Sequence, residues 1–287
     1  MTKRILIVGG NGQLGNCIRK IAADFENQYE FNFTDAQTLN ITDRDSVSDV
    51  FYDFKPHFCI NASAYTAVDL AEKEPEKAFA VNAEGVANLA EACEEYNCVL
   101  IHVSTDYVFD GETNISYSED SFTNPQGVYG ASKLKGEELA TDINPKTIVI
   151  RTSWLYSEFN KNFVKTMLNL FSQKDELGIV ADQFGQPTNA NDLAEAIMKI
   201  IETENKTYGI FHFSNYPETT WFEFAQKIAE FSGSKIRLNA ITTQEFPTPA
   251  KRPKRSTMSL DKIEETYKIE LKHWENTLQD CIETLQK

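Results

Sequence analysis

Long apolar runs, paired cysteines and an excess of positive charge are all missing from this 287-residue chain. No stretch approaches the roughly 20 apolar residues that span a bilayer, and the apolar run at residues 5–8 is too short for a signal peptide. The five cysteines include no C-x-x-C pair, which indicates neither a disulfide framework nor a zinc site. We therefore predict a cytoplasmic protein with reduced thiols.

The charge balance argues against polyanionic partners. The chain has 28 basic and 43 acidic residues, and its net charge of -15 would repel nucleic acid and anionic membranes. We predict neither as a partner, although a small anion could still bind in a locally positive pocket. The four histidines lie far apart without metal-ligand spacing, and we interpret His102, inside a predicted core strand, as a packed side chain.

Short apolar runs alternate with helical segments through the first half of the chain. Strands are predicted at residues 5–8, 31–33, 58–60, 99–103 and 147–150, and the helices between them include one long helix over 75–92. Strands separated by helices form βαβ units and a mostly parallel sheet. We predict an α/β fold with a Rossmann-type, doubly wound parallel sheet and a smaller, mostly helical C-terminal substrate domain. Residues 1–152 would bind a dinucleotide, and residues 153–287 would bind the substrate, with segments near 178–212 returning to the sheet.

A glycine-rich loop follows the first strand and can be read in two registers. From Gly10 it reads G-x-G-x-x-G, the spacing of ordinary dinucleotide-binding dehydrogenases, and from Gly9 it reads G-x-x-G-x-x-G. Either spacing lets the backbone approach a pyrophosphate, which the N–H groups at the start of the next helix neutralise. The residues predicted to bind the cofactor here are Gly9, Asn11, Gly12, Gln13, Leu14 and Gly15.

Asp35 ends the second predicted strand, twenty residues beyond Gly15. A carboxylate at this position suits the ribose 2′-hydroxyl of NADH and repels the 2′-phosphate of NADPH. A solvated loop aspartate is the alternative interpretation. The predicted cofactor is therefore NADH or NADPH, with a lean towards NADH.

Two hydroxyl-bearing segments indicate proton transfer. Ser104 and Thr105 follow a predicted strand, at the sheet edge where α/β proteins bind ligands. Tyr129 and Lys133 lie four residues apart on one helix face. A phenol has a pKa of ~10, and a nearby ammonium brings that pKa towards neutrality. The set predicts a tyrosine acid or base supported by a lysine.

Several longer runs carry a family resemblance. They are Asn61-Ala-Ser-Ala-Tyr-Thr-Ala-Val-Asp69, Ser104-Thr-Asp-Tyr-Val-Phe-Asp-Gly111, Arg151-Thr-Ser-Trp-Leu-Tyr156 and Asp182-Gln-Phe-Gly-Gln-Pro-Thr188. With the G-x-x-G-x-x-G register and the Tyr-x-x-x-Lys pair, the chain resembles the extended short-chain dehydrogenase/reductases that act on nucleotide sugars. Within them it is most similar to the dTDP-4-dehydrorhamnose reductase family.

That resemblance implies a reaction and a set of roles. The family reduces the C4 keto group of dTDP-4-dehydro-6-deoxy-L-mannose with NAD(P)H, giving dTDP-L-rhamnose. Tyr129 would donate the proton, Lys133 would lower its pKa and hold the nicotinamide ribose, and Thr105 would bind the carbonyl oxygen. Further cofactor contacts are implied for Ala62, Ser63, Ala64 and Tyr65. Substrate contacts are implied for Val68, Asp69, Thr105, Asp106, Tyr107 and Trp154, with Arg252 at the phosphates.

Other functions stay open at this point. Nucleotide-sugar 4,6-dehydratases carry Glu where this chain has Tyr107, which argues against dehydration. A reductase or epimerase of another nucleotide sugar would keep the Tyr-x-x-x-Lys pair. A non-catalytic subunit resembling the cofactor-binding partner of methionine adenosyltransferase is a third possibility.

The chain departs from the family pattern in two places, and one tryptophan is assigned to packing. Some family members dimerise through magnesium held by glutamates, and the corresponding positions here are Cys17 and Asn191. We therefore expect no structural metal, and a monomer or a homodimer. Asn40 replaces the usual aspartate near the adenine side, which we interpret as a neutral loop change. Trp221 is predicted to pack in the second domain.

Overall fold

The computed structural model describes residues 2–203 and 207–287. Within these ranges the chain forms twelve β-strands. They are β1 (Lys3–Val8), β2 (Tyr29–Thr34), β3 (Phe58–Asn61), β4 (Val99–Thr105), β5 (Thr147–Thr152), β6 (Leu155–Tyr156), β7 (Glu176–Val180), β8 (Phe184–Gly185), β9 (Thr188–Asn189), β10 (Gly209–His212), β11 (Thr219–Thr220) and β12 (Arg237–Ile241).

Eleven α-helices lie within the same described residues. They are α1 (Gln13–Ala22), α2 (Arg44–Phe54), α3 (Val68–Ala71), α4 (Pro75–Phe79), α5 (Gly85–Glu95), α6 (Val128–Ile143), α7 (Phe163–Phe171), α8 (Ala190–Glu202), α9 (Trp221–Ser232), α10 (Asp261–Tyr267) and α11 (Trp274–Leu285). Across the described residues no helix is both long enough and apolar enough to cross a membrane.

The central sheet has six strands in the order β10-β5-β4-β3-β1-β2. Every neighbouring pair is parallel, with Val8 beside Asn61 in the β1–β3 register and Thr105 beside Thr152 in the β4–β5 register. The strand order reverses at β1, which opens a crevice at the carboxyl ends of β1 and β3. The predicted α/β class with a doubly wound parallel sheet is confirmed.

Local signals explain where these elements begin and end. In β1 the four residues Ile5 to Val8 are all buried, as expected for a strand covered on both faces. Asp43 caps α2 by accepting from the N–H groups of Asp45 and Ser46. Lys55 then adopts a left-handed conformation with φ of 47°, so that the helix ends before Pro56.

The long helix predicted over residues 75–92 is continuous, but its middle is not α-helical. Between α4 and α5 the backbone forms a π-turn at residues 80–84. The turn places Asn82 so that its amide donates to Tyr65 O at 3.1 Å and Ser132 Oγ at 3.0 Å, while its oxygen accepts from Tyr65 N at 2.8 Å. Periodicity alone cannot reveal this turn because the buried side chains on either side keep a helical spacing.

The chain beyond β5 both completes the sheet and builds a second layer. β10 pairs with β5, and α8 packs against α1 within the same apolar cluster. A separate cluster joins α7, α9 and α11 to the parallel β7–β12 pair. The division into domains at residue 152 stays a prediction.

Candidate active site

A cavity of about 910 Å³ lies over the carboxyl ends of β1, β3 and β4. It is lined by the glycine loop, by the segments after β2, β3, β4 and β5, and by residues from the second half of the chain. Of the residues predicted to form the site, those that line it are Gly9, Asn11, Gly12, Gln13, Leu14, Asp35, Ala62, Ser63, Ala64, Tyr65, Val68, Thr105, Asp106, Tyr107, Tyr129, Lys133, Trp154 and Arg252. Gly15 instead packs beneath the loop, and Asp69 lies at the rim as the partner of Arg252.

The glycine loop is shaped for close approach of a ligand. Gly9 has a φ of +84°, and a Cβ there would lie 2.8 Å from Ser63 N. Gly12 caps α1 without a side-chain hydrogen bond, which leaves the first N–H groups of this ten-residue helix available. A dinucleotide pyrophosphate fits this arrangement because it needs both backbone access and N–H donors. The structure therefore has a cradle suited to the cofactor that the loop predicts.

Asp35 lies at the end of β2 and is already engaged by neighbouring groups. Its Oδ1 accepts from the N–H groups of Gln37 at 3.0 Å and Thr38 at 3.1 Å, and its Oδ2 accepts from Asn11 Nδ2 at 2.7 Å. The backbone N–H of Thr38 is the first cause that lowers the pKa of this exposed carboxyl group. Asp35 is therefore a fixed negative charge at neutral pH.

Thr105, Asp106 and Tyr129 meet where β4 ends. Thr105 Oγ1 donates to Asp106 Oδ1 at 3.0 Å, and its hydroxyl lies beside that of Tyr129. Burial raises the pKa of Tyr129 above that of an ordinary phenol, an effect that the Thr105 hydroxyl partly offsets. The expected lowering of this pKa by Lys133 is not the net result, because the loss of water around the phenol dominates. Tyr129 is therefore held protonated.

The carboxyl group of Asp106 is buried beside these hydroxyls. Burial raises its pKa to about 6, although hydrogen bonds from Ser256 and Thr105 act in the opposite direction. Among the described residues its Oδ2 atom has no hydrogen-bond partner. This oxygen is an unused acceptor within the lining of the cavity.

Lys133 is a buried ammonium one helical turn beyond Tyr129. Its Nζ donates to Val103 O at 2.7 Å and lies 3.4 Å from His102 Nε2. Burial lowers the pKa of Lys133 to about 8. His102 is fully buried, as predicted, but it also contacts Lys133, and no sequence pattern connects these two residues.

A buried ion pair fixes α6 against the sheet behind the site. Arg151 Nη2 donates to Glu137 Oε2 at 2.7 Å, and both side chains are 2% exposed. Ser104 Oγ also donates to Glu137. The hydroxyl of Ser104 is therefore used in positioning α6, whereas the hydroxyl of Thr105 lines the cavity.

Two tryptophans form the wall opposite the sheet. Trp154 has a φ of +46°, and its indole stacks on Trp221 with ring centroids 3.6 Å apart. Gly185 lies against this indole, since a Cβ there would be 2.7 Å from Trp154 Cε2. Trp221 packs in the second-half cluster as predicted, but it also lines the cavity, which the sequence did not indicate.

A charged pair closes the rim of the same wall. Arg252 Nη2 donates to Asp69 Oδ2 at 2.9 Å, and its Nη1 donates to Tyr107 Oη at 3.5 Å. Asp69 Oδ1 also accepts from Ala250 N at 3.2 Å. Asp69, predicted to contact the sugar, and Arg252, predicted to contact the phosphates, are therefore paired with each other.

Some lining residues were missed by sequence reasoning. Asn160 donates to Asn11 O at 2.8 Å, which brings the segment after β6 to the glycine loop. Lys161, the next residue, supplies a cation to the cavity lining. Asn40 also lines the cavity, where its side-chain oxygen accepts from Thr42 N at 3.2 Å. No sequence pattern connected residues 160 and 161 with a loop 149 residues away.

Cys17 and Asn191, which stand where some family members carry magnesium-binding glutamates, lie beside Glu158. Asn191 Nδ2 donates to Glu158 Oε2 at 2.8 Å, and Lys20 Nζ pairs with Glu158 Oε1 at 2.7 Å. Burial raises the pKa of the Cys17 thiol to about 12, so that it is protonated at neutral pH. Within residues 2–203 and 207–287, no group of three or more His, Cys, Asp or Glu is arranged to hold a metal ion.

The sheet order, the glycine loop and the Tyr129–Lys133 pair over the end of β4 define a short-chain dehydrogenase/reductase, and the large second half makes it an extended member of that class. Sequence comparison narrows the assignment. The chain belongs to the RmlD substrate binding domain family, whose sequence profile matches residues 3–287.

Individual relatives support the same assignment. The dTDP-4-dehydrorhamnose reductase of Aggregatibacter actinomycetemcomitans is 43% identical over 287 residues, covering 96% of this chain and 97% of that protein. A crystal structure of a dTDP-4-dehydrorhamnose reductase from Clostridium acetobutylicum ATCC 824 has a TM-score of 0.94 and 41% identity, covering 99% of this chain and 100% of that one.

A third relative bears on the cofactor. The dTDP-4-dehydrorhamnose reductase from Bacillus anthracis str. Ames, solved in complex with NADP, has a TM-score of 0.94 and 37% identity, covering 99% of this chain and 100% of that one. That relative therefore binds a nicotinamide dinucleotide. The lean towards NADH from Asp35 gains no support from this complex.

Proposed function

We propose that this chain is an NAD(P)H-dependent oxidoreductase that reduces the C4 keto group of dTDP-4-dehydro-6-deoxy-L-mannose to give dTDP-L-rhamnose. The observation that carries this proposal is the convergence of Thr105 and Tyr129 on the cavity at the end of β4, with Lys133 one turn further along α6. Two hydroxyls converging on one point of a cavity suit a carbonyl oxygen that becomes an alkoxide. The family membership agrees with this chemistry.

Each residue of the set has a distinct proposed role. The bound cofactor supplies the hydride. Tyr129 donates its proton to the oxygen that acquires negative charge at C4, and its raised pKa keeps that proton in place until the charge develops. Thr105 turns its hydroxyl hydrogen from Asp106 Oδ1 to the same oxygen and donates a hydrogen bond to it. Lys133 places positive charge beside Tyr129 and holds the nicotinamide ribose.

The opposite wall is proposed to bind the nucleotide sugar. Trp154 and Tyr107 present aromatic surface to the sugar ring, and Val68 contacts it from the sheet side. Arg252 binds the phosphates, which replace its present partner Asp69. Residues 153–287 would then act as the substrate domain, and residues 1–152 as the cofactor domain.

The cofactor preference is proposed to depend on Asp35. The chain would use both NADH and NADPH, with Asp35 weakening NADPH binding because its fixed charge lies where a 2′-phosphate would approach. Asp35→Asn keeps an acceptor for the Gln37 and Thr38 N–H groups and removes the charge. The kcat/KM for NADPH should rise about tenfold while that for NADH changes little. An unchanged ratio of the two kcat/KM values would remove Asp35 from cofactor selection.

A substrate panel tests the reaction itself. Purified protein should oxidise NADH or NADPH only when dTDP-4-dehydro-6-deoxy-L-mannose is added, and NMR of the product should show dTDP-L-rhamnose. Tyr129→Phe should lower kcat roughly 10²–10⁴-fold while cofactor affinity is retained. The matched control is Tyr107→Phe, which removes a hydroxyl from the ring packed edge-on against Tyr129 at 5.6 Å. Near-normal turnover by Tyr129→Phe would show that another group is the acid.

Other outcomes of the panel identify the competing functions. Turnover of a different keto sugar, or inversion at C4 without net reduction, would indicate another nucleotide-sugar reductase or an epimerase. Cofactor binding without turnover of any keto sugar, together with a co-purifying enzyme, would indicate a regulatory subunit. We expect the protein in the cytoplasm as a monomer or homodimer, and light scattering of the purified protein distinguishes these two states.

A further inference from the structure

His102 and Asn61 form a buried pair behind Lys133. His102 lies on β4 and Asn61 ends β3, and both side chains are fully buried. Asn61 Nδ2 lies 3.1 Å from His102 Nδ1, and His102 Nε2 lies 3.4 Å from Lys133 Nζ. The imidazole therefore connects an amide of fixed orientation to the amine of a proposed catalytic lysine.

The orientation of the Asn61 amide is set by Ser63. Asn61 Oδ1 accepts from Ser63 N at 3.1 Å and from Ser63 Oγ at 2.6 Å. The backbone N–H can only donate and therefore requires the oxygen on that side, so the NH₂ group faces His102. Because Nδ2 can only donate, His102 Nδ1 must accept.

That assignment decides where the imidazole carries its proton. Burial lowers the pKa of His102 well below its usual value, so the ring is neutral. A neutral imidazole that accepts at Nδ1 carries its hydrogen at Nε2, the nitrogen that faces Lys133. This N–H can donate to Lys133 Nζ only when Lys133 is a neutral amine with a free lone pair. In the ammonium form of Lys133, the hydrogens of the two nitrogens would face each other.

We propose that His102, held by Asn61 in the tautomer protonated at Nε2, is a positioning residue that stabilises the neutral amine of Lys133. The imidazole thereby makes the Lys133 ammonium a stronger acid. When Tyr129 has given its proton to the product oxygen, the Lys133 ammonium transfers one proton to the tyrosinate oxygen, and the lone pair left on Nζ accepts from His102 Nε2. A new proton from solvent then restores the ammonium. The inference rests on the role proposed for Lys133.

The other titratable group that acts on Lys133 works in the opposite direction. Glu137, one turn further along α6, raises the pKa of Lys133, and Arg151 on β5 neutralises much of that charge. Tyr129 lies one turn back along α6, and Asp106 follows β4. Burial outweighs Glu137, which leaves the pKa of Lys133 at about 8.

The test measures protons in the cofactor-free protein and needs no substrate. Ring ¹⁵N signals of His102 should show a neutral ring with hydrogen at Nε2 between pH 6 and 8. The side-chain ¹⁵N signal of Lys133, identified by its loss in Lys133→Met, should titrate near the pKa of about 8. A hydrogen at Nδ1, or a charged ring at pH 7, would overturn the proposal.

A substitution at His102 separates this role from simple packing. His102→Gln can turn an amide oxygen towards Nζ, so the pKa of Lys133 should rise by about one pH unit or more. The decline of kcat at high pH should move upwards by the same amount. The matched control is His212→Gln, which replaces another buried neutral histidine on β10 and should leave the pKa of Lys133 unchanged. Equal pKa values for Lys133 in wild type and His102→Gln would overturn the proposal.

A second variant serves if His102→Gln does not fold. Asn61→Asp keeps the acceptor for Ser63 and replaces the donor facing His102 Nδ1 with an acceptor. The hydrogen of the imidazole should then move to Nδ1, which the ring ¹⁵N signals report directly. Retention of hydrogen at Nε2 would contradict the control of His102 by Asn61. If the NMR results hold but no keto sugar is reduced, the proposed function fails while the pairing of His102 with Lys133 stands.

Discussion

At the cofactor end of the cavity, formed by the glycine loop, Asp35 and residues 62–65, many of the contacts available to a ligand come from backbone. At the substrate end, formed by Tyr107, Trp154, Trp221 and Arg252, they come from large side chains. The first set lies close together on neighbouring parallel strands. The second set includes a stack between residues 67 positions apart and an ion pair between residues 183 positions apart. Backbone-built contacts leave a compact motif in the sequence, whereas side-chain walls depend on the whole fold.

The largest expected effect is at the cofactor end. Gly9→Ala combines left-handed strain with a Cβ 2.8 Å from Ser63 N, at a cost of about 2–5 kcal/mol of unfolding free energy. Cofactor binding should be lost because the loop must move. Urea unfolding and fluorescence titration with NADPH measure the two effects.

Gly233→Ala is the matched control for that variant. Gly233 has a similar φ of +70°, but nothing lies within 4 Å of the added Cβ. It should lose only about 1–2 kcal/mol and retain cofactor affinity. If Gly9→Ala binds NADPH as tightly as Gly233→Ala does, the loop is not the rigid cradle described above.

Asp106 lies where the two ends meet, and it should destabilise the fold above neutral pH. Its pKa is raised from 3.8 to about 6 by burial, so the folded chain binds this proton more tightly than the unfolded chain does. The associated stability is present at low pH and is lost as the pH rises from about 4 through about 6. Asp106→Asn should therefore raise the unfolding free energy by about 3 kcal/mol above pH 7, and by far less near pH 4.

Asp35→Asn gives the opposite sign and serves as the comparison for Asp106→Asn. The pKa of Asp35 is lowered, so its contribution to stability is present at neutral pH and is lost as the pH falls through that lowered value. Chemical denaturation of wild type and both variants at pH 3, pH 4.5 and pH 8 measures these contributions, the lowest pH for Asp35 and the two higher ones for Asp106. A gain for Asp106→Asn that does not depend on pH would mean that its carboxyl group is not charged in the fold.

A smaller effect is expected from the ion pair at the substrate end. Arg252→Met should raise KM for the nucleotide sugar about 10–100-fold, the loss expected for a charged hydrogen bond to phosphate. The affinity for the cofactor should not change. Lys251→Met, at an exposed neighbour paired loosely with Glu112 at 3.6 Å, should change KM by less than about threefold. Equal effects of the two substitutions would indicate general charge attraction in place of a specific contact.

The smallest effect is expected from the tryptophan wall. Gly185→Ala pushes the Trp154 indole, which has a Trp221 ring stacked on its face, and should raise KM for the nucleotide sugar about fivefold to tenfold. Gly178→Ala is the control, since its Cβ meets only the Ile241 side chain at 3.2 Å or more. Substrate titrations at saturating cofactor measure KM. If cofactor affinity changes and KM for the nucleotide sugar does not, Trp154 lies at the cofactor end of the cavity and its assignment to the substrate end is wrong.

The cofactor end and the hydroxyl set were predictable because each depends on short-range spacing. A glycine loop between strand and helix, and a tyrosine and lysine four residues apart, are local patterns that any βαβ unit brings to the carboxyl edge of its sheet. Asp43 at the start of α2 is predictable for the same reason, because a capping residue acts on the helix that follows it. These signals identified the α/β class, the glycine loop and the set of Thr105, Tyr129 and Lys133, whereas residues 62–65, Val68, Tyr107 and Trp154 were predicted from the family resemblance.

The remaining contacts depend on packing between distant segments, which no local pattern encodes. Trp221 is a large apolar residue of the kind usually found in a core, and only the packing of α9 brings it to the cavity. The π-turn at Asn82 is hidden by the regular spacing of apolar residues around it. His102 is both a packed side chain and a neighbour of Lys133, because α6 packs against β4. The sequence does not show which residues of the helix and the strand meet.

The late return of the chain to its sheet has a consequence for folding. Leu193 and Ile197 of α8 cover the face of α1, and β10 closes the edge beside β5. During synthesis, the apolar side of α1 stays uncovered until almost 200 residues have emerged, so the nucleotide cradle is among the first segments made and among the last to be fixed in place. Contacts so far apart along the chain slow folding and expose intermediates to aggregation. A fragment cut after Thr152 would carry the glycine loop, Tyr129 and Lys133 and still lack the partner that holds α1 on the sheet.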